Sequence, residues 1–424
     1  MPTGENDNVE ASLKLWVPIA FAVLLALPAL VLRLLEIGGA DPGFAPLVNS
    51  LIFGLGIFAA ATLLVWASEV AETEVSAALA LVVLALIAVL PEYAVDLYFA
   101  WTAPDNPENA HLAIANMTGA NRLLVGMAWP VIFLIFYLKQ RKHTLAVDKS
   151  NSLGILFLGA ATLWSFTIPL RGHLSLIDTA VMFSLFGAYL YLSSRSPPEE
   201  DRVFVGPAAV IAKLARPQRR FAILAMFAFA AAAIIAAAEP FAEGLRHTGE
   251  DLGVSEFVLI QWVAPLASET PEFLLAGLLA WRGRHDAAMT ILIASKVNQW
   301  TLLIGSLPLA FSISGGTLDP LDFDTRQSEE VFLTAGQSMF AVAILVSLSM
   351  SRWEAILLAG LFGTQFFFTD GSIRVGYGAA YSALAIFLIA RDPRGVPRFL
   401  RAAKETATGE LGREERGARR EKET

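Results

Sequence analysis

Apolar residues along this chain gather in repeated runs of about 20, each long enough to cross a bilayer core roughly 30 Å thick as a helix. Twelve such segments are expected, at 13–36, 46–70, 75–101, 110–138, 152–169, 174–193, 221–243, 254–281, 286–312, 329–350, 353–368 and 372–390. Turn-prone links separate them. Gly38-Gly-Ala-Asp-Pro-Gly43 and Gly315-Gly-Thr-Leu-Asp-Pro320 mark two boundaries, and Asp370-Gly371 divides the last two segments. The pattern predicts an all-α, polytopic membrane protein with about 12 transmembrane helices.

Composition agrees: 55% of the 424 residues are hydrophobic, 17% are charged, and the mean hydropathy is +0.57. Cysteine is absent, which excludes disulfides and thiolate metal sites. The histidines are scattered, with no His-x-x-x-His pair. Residues 1–11 are polar and acidic, without a cationic n-region, so no cleaved signal peptide is expected.

Charge in the links orients the segments. Basic clusters occupy alternate links: Lys139 to Lys149, Arg195 to Arg220, Arg282 with Arg284, Arg352, and the tail. The intervening links, around Asp41, Asp105, Glu250 and Asp319, are acidic or poor in cations. The positive-inside rule then puts both termini in the cytoplasm, in the plasma (cell inner) membrane.

Against this apolar background a few polar stretches stand out. Ala267-Ser-Glu-Thr-Pro-Glu272 places two carboxylates, two hydroxyls and a proline inside a membrane segment. Ionisable groups at that depth usually mark an ion or proton path. The proline also frees the carbonyl of Ala267, four residues earlier, to ligate something else. A fainter copy, Leu90-Pro-Glu-Tyr-Ala-Val-Asp96, lies in the first half, and there Pro91 would free Ile87. By the predicted topology the two copies run antiparallel, as in the inverted repeats of secondary transporters.

Each Pro-Glu segment is followed by a second patterned one. Ala115-Asn-Met-Thr-Gly-Ala-Asn-Arg-Leu-Leu-Val-Gly126 aligns without a gap on Ala294-Ser-Lys-Val-Asn-Gln-Trp-Thr-Leu-Leu-Ile-Gly305. This pairs Asn116 with Ser295, Gly119 with Asn298, and Asn121 with Trp300. Glu92 precedes Asn116 by 24 residues and Glu272 precedes Ser295 by 23, so the spacing repeats too.

These motifs resemble those of the cation/Ca2+ exchanger superfamily, the sodium/calcium exchanger-like membrane antiporters. Ala267-Ser-Glu-Thr-Pro-Glu272, preceded by Gly253-Val-Ser-Glu-Phe-Val-Leu-Ile260, is similar to the family's Gly-(Ser/Thr)-Ser-x-Pro-Glu. Ala115-Asn-Met-Thr-Gly-Ala-Asn121 is similar to its Gly-(Asn/Asp)-x-x-Gly-Ser-Asn. The resemblance implies a core of ten helices in two inverted-topology repeats, with about two helices added here. It also implies an organisation into an N-terminus and extra helix (1–45), a first repeat half (46–193), a cytoplasmic linker (194–220), a second half (221–390) and a charged tail (391–424). Val203 to Ala215 in the linker reads as a short interfacial helix, and the tail as disordered or lying on the cytoplasmic surface.

By that resemblance the metal ligands are Glu92 and Glu272, with Asn116, Ser268 and Ser295 in support. Glu269 and Asp96 have no family counterpart and offer oxygens that compensate for lost hydroxyls in the first repeat. In the second repeat Ser295-Lys-Val-Asn-Gln-Trp300 replaces the Gly-Ser-Asn, bringing in Lys296 beside Asn298. Lys296 either replaces one cation permanently or makes the chain a cation/proton antiporter. The implied activity is antiport of Ca2+ or another small inorganic cation against Na+ or H+, with the cation as substrate and no cofactor. The lipid bilayer is the other partner; no nucleic acid is expected, and protein partners are left open. A non-transporting scaffold or sensor is the alternative. An intramembrane enzyme is disfavoured, because the chain has no zinc helix, nucleophile elbow or phosphate loop.

Two bland readings stay open beside these. Arg122 and Lys296 serve as structural counter-charges to the glutamates, or Asp96 is merely solvated near a segment end.

Overall fold

The computed structural model describes residues 4–40, 43–71, 74, 90–194, 204, 206–367 and 370–408, with side chains from Trp16 onward. The Ile87 carbonyl and most of the segment expected at 75–101 lie outside the described residues.

In chain order the helices are α1 (Gly4–Ile37), α2 (Pro46–Ala71), α3 (Leu90–Thr102), α4 (Glu108–Leu123), α5 (Trp129–Gln140), α6 (Ser152–Ser165) and α7 (Thr167–Arg171). They continue as α8 (Leu176–Ser193), α9 (Pro207–Ala212), α10 (Arg216–Leu252), α11 (Glu256–Trp281), α12 (His285–Asn298) and α13 (Ile304–Gly315). The last are α14 (Thr325–Leu345), α15 (Arg352–Thr364), α16 (Gly371–Arg391) and α17 (Gly395–Thr408). The expected membrane segments overlap these helices or continuous runs of them, the one at 75–101 only over its described residues 90–101. Eight stretches among the described residues are long and apolar enough to span a membrane: 16–37, 46–71, 108–140, 149–171, 176–193, 216–252, 285–315 and 371–391. Their outward faces carry large apolar side chains such as Phe21, Leu24, Leu163, Phe221 and Leu224, a surface suited to lipid and not to water.

The chain divides into two compact units, residues 1–98 with 199–272 and residues 99–198 with 273–424. Each unit therefore draws on both sequence repeats.

In the first unit α10 lies along α2, and α1 packs on both. Alanines at the contact, including Ala59, Ala60, Ala67, Ala230 and Ala233, are fully buried and let the backbones approach closely. The linker helix is only six residues long, and Pro207, Ala208, Val210 and Ile211 are buried against α1 and α2. Outside the membrane segments, Glu74 receives Arg216, Arg219 and Arg220 from the start of α10. Hydrogen bonds from Arg220 and then Arg219 hold the Glu74 carboxyl at about 2, well below the usual carboxylate range.

In the second unit α14 packs on α4, α6 and α16, and α13 on α8. Two short antiparallel ladders tie loops together: Thr144–Ala146 with Ser349–Ser351, and His173–Leu174 with Leu321–Asp322. The tail is ordered further than its composition suggested. Helix α17 sets Phe399, Ala402 and Ala403 inside and rests on α6, where Thr406 and Ser152 share a hydroxyl hydrogen bond of 3.0 Å.

The two patterned segments after the Pro-Glu motifs form matching continuous helical runs, each interrupted by a π-helical turn, Leu124–Ala128 and Gln299–Leu303. The matched glycines, Gly126 inside the first turn and Gly305 just past the second, are both points of close approach. A Cβ on Gly126 would stand 2.3 Å from Phe362 Cγ, and one on Gly305 2.9 Å from the Phe183 ring.

Candidate functional site

Helix α3 begins at Leu90, and its first turn carries Glu92. Helix α11 carries Pro271 in its interior, where the ring removes one backbone donor and sets Glu269 and Glu272 on either side of the interruption. The result is a cluster within the first unit. One carboxylate oxygen each from Glu92, Glu269 and Glu272 lies within 4.8 Å of the others. Glu92 and Glu269 are buried, at 3% and 0% exposure, while Glu272 is partly accessible.

Two oxygens bound to one Ca2+ at 2.3–2.6 Å stand at most about 5 Å apart, so these three fit a single ion of that size. Like charges this close in a dry place must be balanced by a cation or by protons. Asp96, one turn further along α3, is fully buried, and the reading of it as a solvated end residue is set aside. Ser268 is buried too, but its hydroxyl turns back to its own helix, 3.5 Å from the Ala264 carbonyl and 3.4 Å from that of Pro265. At that length both bonds are weak.

The remaining expected site residues belong to the second unit. Asn116, Ser295, Lys296 and Asn298 are all buried there. Ser295 accepts from the Gln299 side chain at 3.3 Å. Lys296 donates to the Asn121 side-chain oxygen at 2.7 Å and lies 4.4 Å above the Trp300 ring.

Sequence reasoning considered Arg122 as a counter-charge to the motif glutamates. It is instead paired with Glu330 of α14 at 2.6 Å, with both side chains 3% exposed. Gln365 accepts from Arg122 at 3.4 Å, and Gln337 donates to the Arg122 carbonyl at 3.4 Å. Arg374, in the first turn of α16, lies 2.7 Å from Glu329 and 3.8 Å from Glu330. Glu330 was not singled out. Its signal is weak in the sequence: Glu329 and Glu330 stand at the start of an apolar run, after a polar stretch, as Arg374 does at the start of another.

The sequence model of the sodium/calcium exchanger protein family matches residues 45–195 and 222–369. The crystal structure of the H+/Ca2+ exchanger CAX is similar at 41% identity and a TM-score of 0.88, over 93% of this chain and 98% of that one. Structures of the sodium-calcium exchanger NCX_Mj share the fold, one soaked with Na+ and Sr2+ at 18% identity and a TM-score of 0.51, over 76% of this chain and 99% of that one. Comparison with curated proteins finds no match.

Proposed function

The chain belongs to the sodium/calcium exchanger family of integral membrane antiporters, and we propose that it exchanges Ca2+ for protons by alternating access. Members of this family are transporters and not enzymes. The observation that carries the proton reading is the convergence of Glu92, Glu269 and Glu272 within 4.8 Å. Bound Ca2+ takes oxygens from these carboxylates and is balanced by their charge. When Ca2+ leaves, protons take its place, because three bare carboxylates this close repel one another and two of them are buried. The site thus holds either the dication or protons, and movement of the loaded site across the membrane couples the two fluxes. The likeness to the H+/Ca2+ exchanger at 41% identity supports the same coupling.

Within this reading Glu92 and Glu272 are the principal ligands and Glu269 the third. Asp96 supplies a further acid on the same face as Glu92, one turn along α3. Asn116, Ser268 and Ser295 are assigned neutral-oxygen support through the family motifs. Both termini are assigned to the cytoplasmic side of the inner membrane, on the distribution of Lys and Arg in the links.

The test is Ca2+ uptake into proteoliposomes under an imposed proton gradient or, separately, an imposed Na+ gradient. The proton gradient is expected to drive uptake and the Na+ gradient not. Uptake driven by Na+ alone would overturn the coupling. No flux under either gradient, in folded protein, would favour a scaffold or sensor.

A further inference from the structure

Resting on the exchange reading above, we propose that Lys296 is a built-in cation that keeps Na+ from the position its ammonium holds. The position is defined by two oxygens and a ring. Lys296 Nζ donates to Asn121 Oδ1 at 2.7 Å, lies 3.4 Å from the Asn121 carbonyl oxygen, and stands 4.4 Å from the centroid of the Trp300 ring. Neutral oxygens and an aromatic face are what a monovalent cation takes once it has shed its water.

The amide is aimed at the ammonium. Asn121 Nδ2 donates to the Met117 carbonyl at 2.8 Å, which turns Oδ1 toward Lys296. Repeat symmetry is kept around this point. Asn121 and Trp300 are matched positions of the two aligned segments, and Met117 is the match of Lys296 itself. The lysine therefore reaches from the second repeat onto the last residue of the motif in the first. Lys296 and Asn121 are both buried, at 0% and 1% exposure, so the contact is shielded from competing water.

A tethered ammonium here does not exchange. A Na+ entering would share both Asn121 oxygens with it and would meet its charge at short range. The number of mobile cations this position can hold falls by one, and Na+ loses these oxygens as a binding place. Protons bind to carboxylates and do not compete for these neutral oxygens. Lys296 is thus a specificity-determining residue.

The experiment uses the full chain in proteoliposomes, with proton-driven Ca2+ uptake read in a large excess of NaCl and in choline chloride at equal ionic strength. Uptake by the wild type and by Lys296→Arg should differ less than about twofold between the two salts. Uptake by Lys296→Met and Lys296→Gln should fall at least about tenfold in NaCl, as Na+ takes the vacated oxygens. Calorimetric titration of Na+ into the detergent-solubilised variants should then show binding that the wild type lacks. The proposal is overturned if an uncharged variant transports Ca2+ and stays indifferent to Na+, or if the wild type itself is inhibited tenfold. If neither uncharged variant folds, the wild-type titration decides: Na+ binding contradicts the proposal, and its absence supports it. Failure of the exchange reading is seen separately, as absence of proton-driven uptake by the wild type in choline chloride.

Discussion

Two buried carboxylate clusters are built in opposite ways. In the second unit Glu330 faces Arg122 at 2.6 Å, with Arg374 and Glu329 alongside. In the first unit Glu92, Glu269 and Glu272 face each other. A carboxylate matched by a guanidinium on a neighbouring helix has a permanent counter-charge, with several fixed donors and no reason to exchange it. Carboxylates gathered together require a counter-charge that comes and goes. Burial of an acid in the membrane therefore does not identify a transport site by itself. The company it keeps does.

The sharpest break between the clusters is in transport. Glu272→Gln or Glu92→Gln removes a charged ligand and should lower proton-driven Ca2+ uptake by more than about a hundredfold, with the thermal midpoint in detergent little changed. Substitution in the other cluster should show the reverse pattern. Glu330→Gln leaves Arg122 buried and uncompensated, and should cost about 3–5 kcal/mol of stability, read as a lowered thermal midpoint. The double substitution Arg122→Met with Glu330→Leu removes both charges and should recover most of that loss. A smaller effect is expected at the matched glycines. Gly126→Ala forces the Phe362 ring to move and should destabilise by about 1–3 kcal/mol, with Gly305→Ala milder because its nearest atom is further off.

The smallest effect concerns Glu74, whose arginine partners lie outside the membrane segments. Its carboxyl sits at about 2 in the folded chain, below the unfolded value of about 4.3. The sign follows from linkage: the stabilisation is fully present above the unfolded value and is lost as pH falls toward 2. Glu74→Gln should lower stability by no more than about 1 kcal/mol near neutral pH. The difference from wild type should shrink in acid, as thermal midpoints across that pH range will show.

The difference between the clusters also marks what the chain reveals before it is folded. Helix positions were legible, because apolar runs of membrane length admit few alternatives. Pro271 and Glu272 pointed to the acid cluster, since a proline and a charge inside such a run serve no packing purpose. Glu269 was legible through its place in the same motif. The partner of Arg122 was not, because Glu330 is 208 positions away, and only the packing of α14 on α4 brings the two together. The π-helical turns at Leu124–Ala128 and Gln299–Leu303 leave no compositional mark. Burial of Phe399 in α17 was hidden by the charge around it: what fixes that helix is one apolar face against α6, while the tail's average composition is polar.

Proton release on Ca2+ binding tests the central claim most directly. Ca2+ is added to the detergent-solubilised protein in weak buffer, and the protons set free are counted. If the carboxylates hold either Ca2+ or protons, at least one proton leaves for each Ca2+ bound, and Glu272→Gln abolishes the release. Tight Ca2+ binding with no proton released, across neutral pH, would contradict the account.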